Sequence, residues 1–140
     1  MPIESDAAIR TLLADAKTIA VVGIKSGTDD DAFRVPAYLQ RQGYRIVPVS
    51  PKLDAVLGER AYASLRQVPL PIDLVDVFRA PQHVPAHVDE VLALGTRPRA
   101  VWLQLGIAHA ESARRLEAAG IAVVQDRCIL VEHRRLLGAR

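Results

Sequence analysis

Five short apolar runs constrain the fold of this chain more than any other feature of its sequence. They are rich in valine and isoleucine and do not alternate cleanly between polar and apolar residues. This pattern is typical of strands buried on both faces of a parallel sheet. The runs are Thr18–Gly23, Arg45–Ser50, Leu74–Arg79, Ala100–Leu105 and Ile121–Asp126.

Helical patterns of apolar residues fill the segments between the runs. Helices are also predicted over Asp6–Ala16 and from about Ile129 to Leu137, and a short one around Ser64–Val68. Pro36 and Pro85 are expected near helix starts, where a missing N–H costs nothing. Three of the helical segments are followed by a glycine that signals a helix end, namely Gly43, Gly95 and Gly120.

The alternation of strands and helices predicts an α/β fold. We expect a doubly wound, five-stranded parallel sheet with right-handed crossovers and helices on both faces. The predicted strand order, numbered along the chain, is 3-2-1-4-5, with the switch point between the first and fourth strands. Ligands of such sheets bind outside the carboxyl ends of the strands. Residues 1–140 are expected to form a single domain.

Composition excludes several classes of protein. The net charge is only +2 and no long basic run occurs, so we expect no nucleic-acid partner. No apolar run approaches the ~20 residues of a membrane span, and the N-terminus does not resemble a secretory signal. A cytoplasmic protein without a membrane partner is therefore expected.

No catalytic or metal-binding set is apparent in the sequence. Cys128 is the single cysteine, which excludes an internal disulfide and a thiolate cluster. His83 and His87 are four residues apart, but Pro85 lies between them and no H-E-x-x-H pattern occurs, so we expect no metal site. A G-x-S-x-G nucleophile motif is also absent.

The loop after the first strand combines a glycine, a cation and hydroxyl groups. Gly23, Lys25 and Ser26 could form a phosphate cradle, although the loop is neither G-x-G-x-x-G nor a Walker A motif. A turn glycine with a solvated polar loop explains the same residues. The acidic run Asp29–Asp31 would repel a phosphate and could instead serve the start of the next helix.

Lys52 follows the second strand, where an NAD site usually carries an acid that holds the ribose diol. A lysine there suits a phosphate near the ribose, unless it is simply a surface residue. Phe78 and Arg79 follow the third strand and could pack on a ribose or adenine face. Gln104 and Gly106 form a polar turn after the fourth strand. Together these loops predict a site for a nucleotide-type anion.

Several segments in register resemble the small stand-alone CoA-binding proteins. They are IAVVGIK, VPAYLQRQGYRIVPVSPK, PIDLVDVFRAP, VWLQLGI and VVQDRCILVEH, and the resemblance runs from about Lys17 to Leu136. Members of that family are single Rossmann-like domains similar to the CoA-binding domain of the succinyl-CoA synthetase α subunit. The resemblance implies coenzyme A bound across the carboxyl edge of the sheet. It implicates Gly23, Ile24, Lys25, Ser26, Arg34, Pro51, Lys52, Phe78, Arg79, Gln104 and Gly106.

The resulting functional expectation is binding of coenzyme A, or of a short acyl-CoA, without a catalytic set of the chain's own. Two alternatives remain. One is a small NADP-dependent oxidoreductase or a nucleotide-sensing redox protein on the same fold, because Lys52 tolerates the extra phosphate of NADP. The other is an interaction subunit with a vestigial nucleotide pocket. The sequence does not identify a partner protein.

Cys128 has two interpretations. It follows the fifth strand at the start of the last helix, and a helix start and the neighbouring Arg127 both favour a thiolate. CoA ends in a thiol, so a mixed disulfide is chemically possible. Alternatively, Cys128 packs as a small hydrophobic residue beneath Ile129 and Leu130.

Overall fold

The computed structural model describes residues 1–139, so Arg140, the last residue of the predicted domain, lies outside the described range. That range contains strands β1 (Thr18–Val22), β2 (Arg45–Val49), β3 (Ala55–Val56), β4 (Glu59–Arg60), β5 (Leu74–Val77), β6 (Ala100–Leu103) and β7 (Ala122–Val124). The helices are α1 (Asp6–Asp15), α2 (Asp31–Arg41), α3 (Val84–Leu92), α4 (Ala110–Ala118) and α5 (Ile129–Leu137). Short 3₁₀ turns occupy Leu65–Gln67 and Pro81–His83.

The five longer strands form one parallel sheet in the order β2-β1-β5-β6-β7. The predicted five-stranded, doubly wound parallel sheet is confirmed. The predicted order 3-2-1-4-5 is wrong, because the third of these strands, β5, pairs with β1 and not with β2. The order along the chain is therefore 2-1-3-4-5, and the switch point lies between β1 and β5 rather than between the first and fourth strands.

Local hydrogen bonding explains why β2 lies at the sheet edge and β5 beside β1. Pro48 lies within β2 and has no N–H to give to a further strand outside it. Its carbonyl instead accepts a hydrogen bond from the Tyr62 N–H at 3.0 Å. At the start of β5, the Asp73 carboxylate accepts hydrogen bonds from the N–H groups of Lys17 and Thr18, both at 2.9 Å. This carboxylate fixes the start of β5 against the start of β1.

Alternate residues of the strands face two separate apolar cores, which explains why the sequence runs lack polar alternation. Helices α1, α2 and α5 cover one face of the sheet, where Leu13 and Trp102 are fully buried. Helices α3 and α4 cover the other face, where Val88 and Leu116 pack on Val75 and its neighbours. Helices on both faces are thus confirmed. Among residues 1–139, no helix is both long and apolar enough to cross a membrane.

Helix ends follow the sequence signals at most positions. Gly43 and Gly120 adopt positive φ beyond α2 and α4, where the left-handed conformation closes a helix. Helix α3 ends at Leu92, short of the predicted stop at Gly95. The C-terminal helix has its predicted bounds, and the expected short helix around Ser64–Val68 is a single 3₁₀ turn.

Candidate functional site

A cavity of about 330 Å³ opens at the carboxyl edge of the sheet, where β1 and β5 lie side by side. The chain leaves β1 toward β2 and leaves β5 toward β6, so the crossovers diverge here, as they do at the ligand sites of doubly wound sheets. Its volume is near the lower end of the ~300–1,000 Å³ typical of small-molecule pockets. The lining residues are Lys25, Asp30, Asp31, Ala32, Val35, Phe78, Arg79, Ala80, Gln104, Leu105, Ile107 and Cys128.

Gly23 brings the loop after β1 into contact with the loop after β5. Its φ is +83°, and a Cβ at this position would lie 2.4 Å from the Phe78 carbonyl oxygen and 3.0 Å from Cδ of Arg79. Only glycine fits such a close approach at positive φ. Gly23 was predicted to leave room for a ligand. In the structure it leaves room for the loop after β5, so Phe78 and Arg79 lie directly against it.

Pro36 ties the same loop to α2. The sequence predicts this proline near a helix start, but it lies in the interior of α2. Because proline has no N–H, the Ala32 carbonyl one turn earlier has no helical donor. That carbonyl accepts a hydrogen bond from the Lys25 N–H at 3.2 Å instead. The lost helical bond is thus replaced by one that holds the loop against the first turn of α2.

The acidic run pairs with two of the cations predicted to bind phosphate. The Asp30 carboxylate caps α2 by accepting the Ala32 N–H at 2.9 Å, and its other oxygen lies 3.5 Å from Nζ of Lys25. The hydrogen bond from Ala32, followed by the charge of Lys25, lowers the pKa of the Asp30 carboxyl. Arg34 binds the Asp31 carboxylate and donates to the Asp29 carbonyl at 2.7 Å. The expectation that the acidic run serves the helix start is confirmed for Asp30.

Two other cations at this edge of the sheet have no ionic partner in the described part of the chain. Neither Arg79 nor Lys52 forms an ion pair with any of residues 1–139. Arg79 lines the cavity directly after β5, next to the partly buried ring of Phe78. Lys52 is exposed in the turn after β2, where its N–H donates to Oγ of Ser50 at 3.1 Å. It lies outside the cavity wall, beyond β1 in the strand order.

The loop after β6 forms the other side of the cavity. Gln104 is 5% exposed, and its Oε1 accepts the N–H of Ile129, the first residue of α5, at 3.1 Å. The Gly106 N–H donates to Oδ1 of Asp126 at 2.7 Å, so this predicted backbone donor already has a protein partner. The loops after β6 and β7 are therefore bonded to each other, and they carry the start of α5 into the cavity wall.

Four of the predicted site residues meet in the cavity, namely Lys25, Phe78, Arg79 and Gln104. Seven do not line it: Gly23, Ile24, Ser26, Arg34, Pro51, Lys52 and Gly106. Ile24 is 2% exposed, and its side chain belongs to the core. The start of α2 also lines the cavity, although the acidic run was assigned only to the helix start and not to the site. No sequence signal pointed to Leu105, an apolar residue that is 70% exposed at the cavity rim.

Asp76 is a buried acid in β5, two residues before Phe78 of the cavity wall. It lies inside β5 between Val21 and Trp102 of the neighbouring strands and is fully buried. Neither carboxyl oxygen has a hydrogen-bond partner among residues 1–139. Burial raises the pKa of this carboxyl well above its usual range, since removal from water disfavours the charged form.

Comparison with known proteins identifies related chains along almost the whole length. A Bacillus subtilis (strain 168) protein, YneT, is 37% identical over 129 residues, which cover 92% of this chain and 94% of that protein. A solved structure from Thermus thermophilus, cell-free ID.343, is 48% identical and has a TM-score of 0.91. That match covers 96% of this chain and 100% of the other.

A larger protein contains the same fold. The dinucleotide forming acetyl-coenzyme A synthetase 1 of Ca. Korarchaeum cryptofilum matches with a TM-score of 0.69 at 19% identity, over 79% of this chain and 26% of that one. At this identity the likeness concerns the fold alone. Residues 17–134 match the family described as CoA binding domain. This match spans most of the chain, which therefore belongs to the CoA binding domain family.

Proposed function

We propose that the chain binds coenzyme A, or a short acyl-CoA, at the cavity between β1 and β5 and has no catalytic set of its own. The observation that carries this proposal is the guanidinium of Arg79, which lines the cavity at the switch point without an ion pair among residues 1–139. An unpaired cation at a ligand edge suits a diphosphate, which a guanidinium binds through two hydrogen bonds. Family membership supports CoA as the source of that diphosphate.

Lys52 supplies a second phosphate contact in this proposal. CoA carries a ribose 3′-phosphate in addition to its diphosphate. The exposed Lys52 ammonium follows β2, where NAD-binding sheets usually place an acid for the ribose diol. The same lysine would also suit the extra phosphate of NADP, so NADP is the second candidate ligand.

Side-by-side calorimetry with CoA, NADP and NAD tests the proposal. We expect CoA to bind most tightly and NAD most weakly, because a lysine cannot hold a ribose diol as a carboxylate does. Mass spectrometry of ligand released from the purified protein is a second measurement, and it should detect CoA or an acyl-CoA. Preference for NADP would favour the oxidoreductase alternative, and binding of none of the three would favour a vestigial pocket.

Replacing Lys52 with glutamate tests the ribose phosphate contact. Lys52→Glu should weaken CoA binding by ~1–3 kcal/mol, the scale of a charge-assisted hydrogen bond. The melting temperature should barely change, since an exposed lysine without a partner contributes little to folding. Arg114→Glu makes the same charge change on the exposed surface of α4 and serves as the control. Equal CoA affinities of the two variants would remove Lys52 from the site.

A further inference from the structure

Cys128 places a free thiol in the wall of the cavity. It is the residue before α5 and it is half-buried, with no disulfide. Its side chain packs against the core on the α1, α2 and α5 face, and it also lines the cavity. The Arg127 guanidinium, expected to favour a thiolate, lies 3.4 Å from a Glu132 carboxylate oxygen and donates to the Glu4 carbonyl.

Gln104 supplies an open amide donor in the same part of the cavity wall. Its side chain is almost completely buried, and its Oε1 accepts the N–H of Ile129, the residue after Cys128. Its Nε2 has no hydrogen-bond partner among residues 1–139, although Gln104 lines the cavity. This nitrogen is not sealed from solvent, so it faces the open cavity and can donate to a ligand group there.

The strand order places different kinds of side chain at the two ends of the cavity. Lys25 and Arg79 follow β1 and β5, whereas Gln104 follows β6 and Cys128 follows β7. One end therefore holds the ion-paired Lys25, the aspartates Asp30 and Asp31, and the Arg79 guanidinium, which has no ionic partner among residues 1–139. The other end holds an amide and a thiol, with the apolar Leu105 and Ile107 beside them. CoA has the same arrangement, because its phosphates and its thiol lie at opposite ends of a partly apolar arm that contains amides.

We propose that Cys128 is a site of reversible covalent modification by CoA disulfide, with the unpaired Gln104 amide donating to the last amide carbonyl of the CoA arm. Cys128 loses its proton to solvent, and the thiolate attacks one sulfur of the CoA disulfide. A sulfur–sulfur bond forms between Cys128 and one CoA, the original sulfur–sulfur bond breaks, and the second CoA leaves as a thiolate that takes up a proton. Cys128 is oxidised and one CoA sulfur is reduced, so no other oxidant is needed. A free thiol reverses the step.

This inference rests on the proposed CoA site, and it predicts selectivity among disulfides. CoA disulfide should modify Cys128 about 10-fold faster or more than glutathione disulfide, because binding of the nucleotide part raises the local concentration of the sulfur. Intact-protein mass spectrometry reads the adduct directly, since the sequence contains one cysteine. The adduct should disappear with dithiothreitol, and adenosine 3′,5′-diphosphate should slow its formation.

The Arg79→Ala variant tests the selectivity between the two disulfides in a second way. Its ratio of CoA-disulfide to glutathione-disulfide rates should fall toward one, because the variant lacks the guanidinium proposed to hold the diphosphate. Calorimetry of the wild-type protein with reduced CoA, under reducing conditions, measures reversible binding separately. Reversible binding without an adduct, or equal rates with both disulfides, overturns the covalent step alone. Absence of reversible binding overturns the proposed function itself.

Discussion

The loop between β1 and α2 and the loop after β5 form adjoining walls of one cavity, yet their charges are arranged in opposite ways. Lys25 of the first loop and Arg34 of the first turn of α2 are each paired with an aspartate of the acidic run. In the second loop, Arg79 has no ionic partner among residues 1–139. The first wall therefore uses its charges to hold its own conformation, whereas the second leaves its cation without an ionic partner in residues 1–139 and available for the ligand contact proposed above.

The two regions also differ in how their buried and exposed aspartates are paired, as Asp76 of β5 and Asp30 of the first loop show. Neither oxygen of Asp76 has a hydrogen-bond partner within residues 1–139, whereas Asp30 in the first loop binds both a backbone N–H and a lysine. Unpartnered polar groups are costly, and in natural proteins they often mark positions kept for function. The comparison thus indicates a structural role for the first loop and supports the ligand contact proposed for the end of β5.

Gly23→Ala is expected to have the largest effect, because the first loop is held by backbone contacts. The new Cβ would meet the Phe78 carbonyl at positive φ, so stability should fall by about 2–4 kcal/mol, from left-handed strain together with overpacking. Chemical unfolding measures the loss. Gly27→Ala is the matched control, since a Cβ there would have no atom within 4 Å. Equal stability of the two variants would contradict a locked first loop.

Arg79→Ala tests the other wall. Loss of the free guanidinium should weaken CoA binding by about 1.5–3 kcal/mol, a roughly 10- to 100-fold higher Kd. The melting temperature should change little, because the guanidinium has no ionic partner within the described residues to lose. Calorimetry with CoA measures the change, and Arg114→Ala on α4 is the control. An unchanged Kd would show that this cation is not the diphosphate contact.

Much of the fold was predictable from the sequence because buried parallel strands leave continuous apolar runs. The strand order was not, although the sequence contains one relevant signal. Pro48 lies within the second run, and a proline is tolerated at a sheet edge rather than between two strands. The contacts that place β5 beside β1 were not predictable, since the Asp73 carboxylate binds N–H groups more than fifty residues away.

The site was predictable to the extent that it follows from strand ends. Loops at the carboxyl edge yielded Arg79 and Gln104 directly. Pairing within the first loop was not predictable in detail, because it depends on the distance across a folded turn between Lys25 and Asp30. Cys128 was expected at the start of the last helix, but strand order alone did not predict that it lines the cavity, because β7 lies two strands away from the switch point between β1 and β5. In the structure, the start of α5 closes the cavity.

The pH dependence of stability tests the unpartnered acid of β5. The pKa of Asp76 is raised in the folded state, so its contribution to stability is complete below the unfolded pKa of about 3.9 and declines as pH rises toward the folded pKa. Relative to Asp76→Asn, the wild-type protein should lose up to about 1.4 kcal/mol of unfolding free energy per pH unit in that interval. Urea unfolding at several pH values measures the difference. Parallel pH profiles would show that Asp76 ionises normally in the folded protein.

Asp30→Ser should produce the smallest effect, and it has the opposite sign. Serine retains the cap of α2, as Ser5 caps α1 by accepting the Ala8 N–H, so the helix should remain intact. Removal of the carboxylate frees Lys25 and removes one negative charge from the cavity wall, so CoA should bind about 0.5–1 kcal/mol more tightly. The gain should shrink as salt screens the exposed charges. Asp29→Ser removes the same charge without freeing a lysine, so it should strengthen CoA binding by less than Asp30→Ser does. If Asp30→Ser instead binds CoA more weakly than the wild-type protein, the paired first loop contacts the ligand, and the division between the two walls does not hold.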